Sequence, residues 1–112
     1  MTIDLTRDVL PISKAAGALA SLIAQTQQTQ RPIIITLKGY PAAVLLDAVR
    51  FQQLSSAPID LLQGVLPISK AASSLAKRIN QAQQTKQPIV ITQKGRPAAV
   101  LLDLSVYVAL EV

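Results

Sequence analysis

A chain of 112 residues, half of them apolar, suffices for one domain or two very small ones sharing a core, and is too apolar to stay disordered. Its formal charge is +5, with 11 Lys and Arg against 6 Asp and Glu, which suits an anionic partner without demanding one. With no Cys and no His, disulfides, thiolate nucleophiles and zinc–thiolate sites are excluded, and the commonest general base and metal ligand is missing.

No apolar run reaches the roughly 20 residues that span a bilayer. The N-terminus has no basic-then-apolar secretory leader, so a cytoplasmic protein is expected. Enzyme chemistry would have to run on Ser, Lys and six carboxylates, most of which have duller work at caps and termini. The expectation is a non-enzyme without cofactor or metal.

In chain order, Ile3-Asp4-Leu5 and Val9-Leu10-Pro11-Ile12 read as a short extended opening, with Leu10 held towards β by the following proline. Ser13 is placed to cap a helix that begins with Lys14-Ala15-Ala16. No Glu or Gln follows three residues later, so the capping box is incomplete. Ala15, Leu19, Leu22, Ile23 and Thr26 fall on one helical face. The helix should fade through the polar tract Gln25–Gln30 and stop at Arg31-Pro32.

Ile33-Ile34-Ile35-Thr36 is then a β-branched strand, Lys38-Gly39 a tight turn with Gly supplying positive φ, and Pro41–Leu46 the returning strand. Pro41 cannot donate to a ladder, so it suits the first position of that strand. Asp47 is a good N-cap for a short second helix, Ala48–Leu54, presenting Phe51 and Leu54.

The whole pattern then recurs. A shift of 56 residues aligns positions 3–54 with 59–110 without a gap, and 32 of the 52 positions are identical. Two copies do not make a solenoid. A duplicated small domain fits better: residues 1–54 and 59–112, joined by a linker at 55–58. Each copy alone is too small to bury much surface, and two packed together solve that problem. Each is expected to be β-α-β-β-α, giving an α+β chain that imitates a homodimer through pseudo-two-fold symmetry. In the second copy, Leu75 and Ile79 mark the apolar helix face, and Lys77 and Arg78 replace Ser21 and Leu22. Its last segment, Leu104–Val112, is richer in β-branched residues and makes a weaker helix.

The capped helix, the polar exit, the apolar strand, the Lys-Gly-x-Pro turn and the Ala-Val-Leu strand before an aromatic-bearing helix together resemble the Phd/YefM antitoxin family. The likeness covers nearly the whole chain, twice. It implies a transcriptional repressor that binds operator DNA as a dimer-like body and pairs with a toxin. The Arg that family members often carry three residues after the capping Ser is Ala16 and Ala72 here. The flexible tail that the family folds onto its toxin is also missing from this sequence, so neutralisation by that route is not expected.

The residues expected at DNA are Ser13, Lys14, Ser69, Lys70, Lys77 and Arg78. The two helix starts would offer phosphate seats, and the cations would meet the backbone. Each has a plainer reading, as a helix cap or a solvated lysine. Lys38, Lys94 and Arg96 flank the turns, where polar residues are ordinary. Phe51, Leu54, Tyr107 and Leu110 read as the pseudo-dimer core. Three aromatics in the chain, two of them repeat-mates, argue against a base-stacking platform. Two functions remain: a DNA-binding regulator, which could also form higher homo-oligomers of the fused chain, or a protein-interaction module that no longer reads DNA.

Overall fold

The computed structural model describes residues 9–55 and 65–111, and places them in a six-stranded sheet with six helices, a mixed α+β chain. In order these are β1 (Val9–Pro11), α1 (Ile12–Gly17), α2 (Leu19–Thr29), β2 (Ile33–Leu37), β3 (Tyr40–Asp47) and α3 (Ala48–Ser55). The second copy gives β4 (Val65–Pro67), α4 (Ile68–Ser73), α5 (Leu75–Thr85), β5 (Ile89–Gln93), β6 (Arg96–Asp103) and α6 (Leu104–Glu111). The expected elements at Ile3-Asp4-Leu5 and Ile59-Asp60-Leu61, and most of the linker, lie outside the described residues. Among the described residues, no helix is long and apolar enough to cross a membrane.

The strand order is β1-β2-β3-β6-β5-β4. Each copy contributes one half, and the halves meet where β3 runs antiparallel to β6. The register there is symmetric. Ala43 faces Asp103, Leu45 faces Leu101 and Asp47 faces Ala99, so Leu45 pairs with its own repeat-mate. Among the described residues the edge strands β1 and β4 have three residues each, end in proline and pair in parallel with β2 and β5. Short, proline-tipped edges leave little template for further strand addition.

Alternation along the strands sends side chains to two cores. Ile33, Ile35, Ala43 and Leu45, with Ile89, Ile91, Ala99 and Leu101, pack under α1, α2, α4 and α5. Ile34, Val44, Leu46, Val90, Val100 and Leu102 face the opposite side, under α3 and α6. The central strands are thus buried on both faces, which is why Ala42–Leu46 reads as a continuous apolar run rather than an alternating one. Burying each such aliphatic side chain stabilises the fold by about 1.5–3 kcal/mol.

The hairpin turns are tighter than glycine alone suggests. Leu37 pairs with Tyr40, leaving a two-residue loop in which both Lys38 (φ +54°) and Gly39 (φ +84°) are left-handed. Positive φ at both central residues is the type I′ pattern, whose twist matches that of the strands. Lys94 and Gly95 repeat it, at +51° and +76°. The register slips by one residue between Ile35 and Thr36, where Thr36 faces Pro41 and Ile35 faces Ala43, so Ala42 bulges out of the ladder. Proline next door has no N–H for that ladder, and the bulge absorbs the gap.

Two expectations about the helices are corrected. Neither Ser13 nor Ser69 is a cap. The helices begin at Ile12 and Ile68, the N-cap residues are Pro11 (ψ 152°) and Pro67 (ψ 150°), and no side chain bonds to the open N–H groups. Ile12 and Ile68 pack against the helix-side core, and this pulls the helix start forward of the serine. The long helix of each copy is also broken, at Ala18 (φ −129°) and Ser74 (φ −132°). Gly17-Ala18 and Ser73-Ser74 share no helix-breaking residue, so the break belongs to packing: α1 lies against α4, while α2 lies on the sheet. The predicted helical face holds nevertheless, with Ala15, Leu19, Leu22, Ile23 and Thr26 all buried.

Candidate nucleic-acid interface

The register of β1 against β2 decides what surrounds the first helix start. Pro11 lies beside Thr36, so α1 begins one step from Leu37 and the Lys38-Gly39 turn. Ile12 and Leu37 pack on the same core. The exposed Ser13 and Lys14 therefore follow the strand end that points toward the exposed hairpin tip of Lys38, Gly39 and Tyr40. The same geometry recurs in the second copy, where Pro67 lies beside Thr92 and α4 begins at the end of the sheet that carries the Lys94-Gly95 turn and Arg96. Sequence reading gave the turn residues a minor place. The signal that could have raised it is the identical turn spacing after both strands, but only the parallel pairing starts the helix at the end of the sheet that carries the turn.

Between the copies, α1 packs against α4. Beside this contact runs a shallow groove of about 530 Å3, lined by Ile12, Ser13 and Ala16 of the first copy and by Ala72, Ser73 and Lys77 of the second, among others. Ala16 and Ala72 thus border one groove, and their methyl groups offer no charge to it.

The cations differ in how free they are. Lys14, Lys38, Lys70, Lys77, Lys94 and Arg96 are exposed and have no hydrogen-bond or ion-pair partner among the described residues. Arg78 is half-buried and tied along its own helix. Its Nε donates to Ser74 Oγ at 3.3 Å and its Nη1 to Gln81 Oε1 at 3.1 Å. It fills the place that buried Leu22 takes in the first copy, so its stem serves the core. α1 and α4 have only six residues each, so their dipoles add little to the field of the lysines.

On the other side of the sheet, Phe51 and Tyr107 are buried in one cluster with Val44, Leu46, Val100 and Leu102, and Leu54 and Leu110 pack against it half-buried. Asp47 and Asp103 start the covering helices: Asp47 Oδ2 accepts from Arg50 N at 3.2 Å, and Asp103 Oδ2 from Ser105 N at 3.3 Å. Each also ties to the left-handed residue that ends the preceding long helix. Gln30 Nε2 donates to Asp47 at 3.1 Å, and Lys86 Nζ to Asp103 at 2.7 Å. Burial pushes the Asp103 carboxyl up, but the hydrogen bonds from Lys86 and Ser105 and the charge of Lys86 outweigh it and hold the group below its ordinary value.

Comparison with known proteins adds one match. The model of a family described as "Antitoxin Phd_YefM, type II toxin-antitoxin system" matches this chain twice, over residues 7–66 and 63–112. No curated protein and no solved structure matches it significantly.

Proposed function

This chain belongs to the Phd/YefM antitoxin family of type II toxin-antitoxin systems, and from that premise we propose that it is a DNA-binding regulator of such a module, in which one chain does the work of two protomers. Residues 1–54 and 59–112 stand for the protomers and 55–58 for the join. The symmetric β3–β6 register supports this reading, since a true dimer with an isologous interface would pair the same strand with itself.

The observation that carries the DNA reading is the set of cations at the two helix starts, the two hairpin tips and the groove between the copies, six of which are exposed and free of partners among the described residues. Exposed Lys and Arg without partners among the described residues, in a +5 chain, form an electrostatic footprint for phosphate. The body is 32 Å across, which is about one turn of duplex, so two equivalent ends can meet successive stretches of one groove. Lys14 and Lys70 would anchor to backbone phosphates, with Ser13 and Ser69 beside them.

A binding titration tests this, using DNA from upstream of the protein's own coding region at two salt concentrations, with scrambled DNA as control. Tighter binding to the upstream DNA supports a repressor. Equally weak binding to both sets the reading aside.

A second reading, a module that binds a protein partner such as the toxin of the same system, has one observation of its own. The outer side of α6 carries Val108 and Ala109 where α3 has Gln52 and Gln53, and Val108 is 49 % exposed. Co-purification with the product of the adjacent gene, lost on Val108→Glu, would favour it.

A further inference from the structure

We propose that the two ends of the DNA-facing surface are chemically unequal and that the protein therefore lies on its operator in one orientation, reading an imperfect palindrome; this rests on the DNA-binding reading above. A homodimer must offer the same residues twice. A fused pair need not, and this one does not.

The inequality has two sources. The first is the groove. Lys77 belongs to the second copy, yet it lines the groove together with Ile12, Ser13 and Ala16 of the first. Lys77 sits on α5, which packs against α1, so its charge adds to the end built on α1. Its repeat-mate is Ser21, so the matching position at the α4 end is a neutral hydroxyl. The second source is the hairpin tip. Tyr40, 75 % exposed, follows the first turn, and the exposed Arg96 takes its place after the second.

One end thus combines Lys14, Lys38 and Lys77 with the phenol of Tyr40, and the other combines Lys70, Lys94 and Arg96 with Ser21. Each end has three free cations, so both can anchor phosphates about equally. They differ in what they can read. An ammonium is a point charge that suits phosphate, whereas a guanidinium forks to O6 and N7 of a guanine. Tyr40 has a single hydroxyl and cannot match that pattern. The end bearing Arg96 therefore prefers a guanine in its half-site, and the end bearing Tyr40 has no such preference.

The absence of cysteine from the chain makes the test direct. Ala20, exposed on α2 and outside the named contacts, is changed to Cys in the full chain and labelled with a DNA-cleaving iron chelate. The labelled protein is bound to the upstream duplex. Cleavage confined to one half-site is the expected result, and equal cleavage of both halves overturns the proposal. Replacing single guanines in the Arg96 half-site should weaken the wild type about tenfold at one position, while R96Y is insensitive to that change. If R96Y keeps both the guanine preference and the one-sided cleavage, Arg96 is not the reader and the proposal fails. Absence of binding to the upstream DNA at any salt would remove the DNA-binding reading itself, whereas binding with symmetric cleavage removes only the orientation.

Discussion

Leu45 pairs across the middle of the sheet with Leu101, the residue that holds its own place in the other copy. Both are fully buried under the helices of the two copies. The helix-side core is therefore one body drawn from both halves, and neither half has a core to itself. Leu45→Ala and Leu101→Ala should each cost about 2–5 kcal/mol, the range for cavities at buried leucines. Urea unfolding followed by circular dichroism should show the whole chain melting in one transition. A half that still melts at the wild-type midpoint after Leu45→Ala would show that the copies fold separately.

Asp103 links pH to stability. Its folded pKa lies below the ordinary 3.8, so the carboxylate contributes stability that is full above that value and is lost as pH falls through the lower folded value. Asp103→Asn should cost about 1 kcal/mol at pH 7, as lost helix caps do, and the gap to wild type should close in strong acid. Melting temperatures of both proteins across that range test it; a constant gap would mean that charge is not what Asp103 supplies. Lys86→Gln should be milder, because Gln30 makes the equivalent bond to Asp47 and the Lys86 side chain is 56 % exposed.

Gly39 and Lys38 test the turn. A Cβ at Gly39 would meet no atom within 4 Å, so any cost of Gly39→Ala is the strain of φ +84° alone. We expect about 1–2 kcal/mol. Lys38→Gly should instead leave stability unchanged or slightly raised, since it relieves a left-handed lysine. Thermal unfolding should show Gly39→Ala lowered and Lys38→Gly not lowered, and a stabilising Gly39→Ala would contradict the type I′ assignment.

Lys14 and Lys70 carry the functional reading. The double variant Lys14→Ala, Lys70→Ala should weaken binding to the upstream DNA and lower the slope of log K against log salt by about 1.8, two phosphate contacts at roughly 0.9 each. Unchanged affinity and slope would place both lysines off the interface. Lys14 and Lys70 are exposed, so the variants should fold as the wild type does, and circular dichroism provides the control.

Much of this protein was legible in its sequence because local periodicity carries it. The repeat, the helical face from Ala15 to Thr26, the Ile33–Ile35 strand, the glycine turn and the cap at Asp47 all follow from side-chain spacing and backbone preference within a few residues. The family likeness rests on the same spacing. What the sequence left undecided depends on residues far apart in the chain. Ser13 looked like a cap because it stands before Lys-Ala-Ala, but Ile12 reaches a core that includes Leu37 and the helix starts earlier. One long helix became two because α1 must lie on α4 while α2 lies on the sheet. Only the parallel pairing of β1 with β2 starts α1 at the hairpin end of the sheet, and only the packing of the copies puts Lys77 and Ser13 on one groove. Spacing along the chain fixes which elements form, because hydrogen bonds and side-chain faces repeat over a few residues. Which elements share a surface is decided by burial of the common sheet, and that is settled only when both copies fold together.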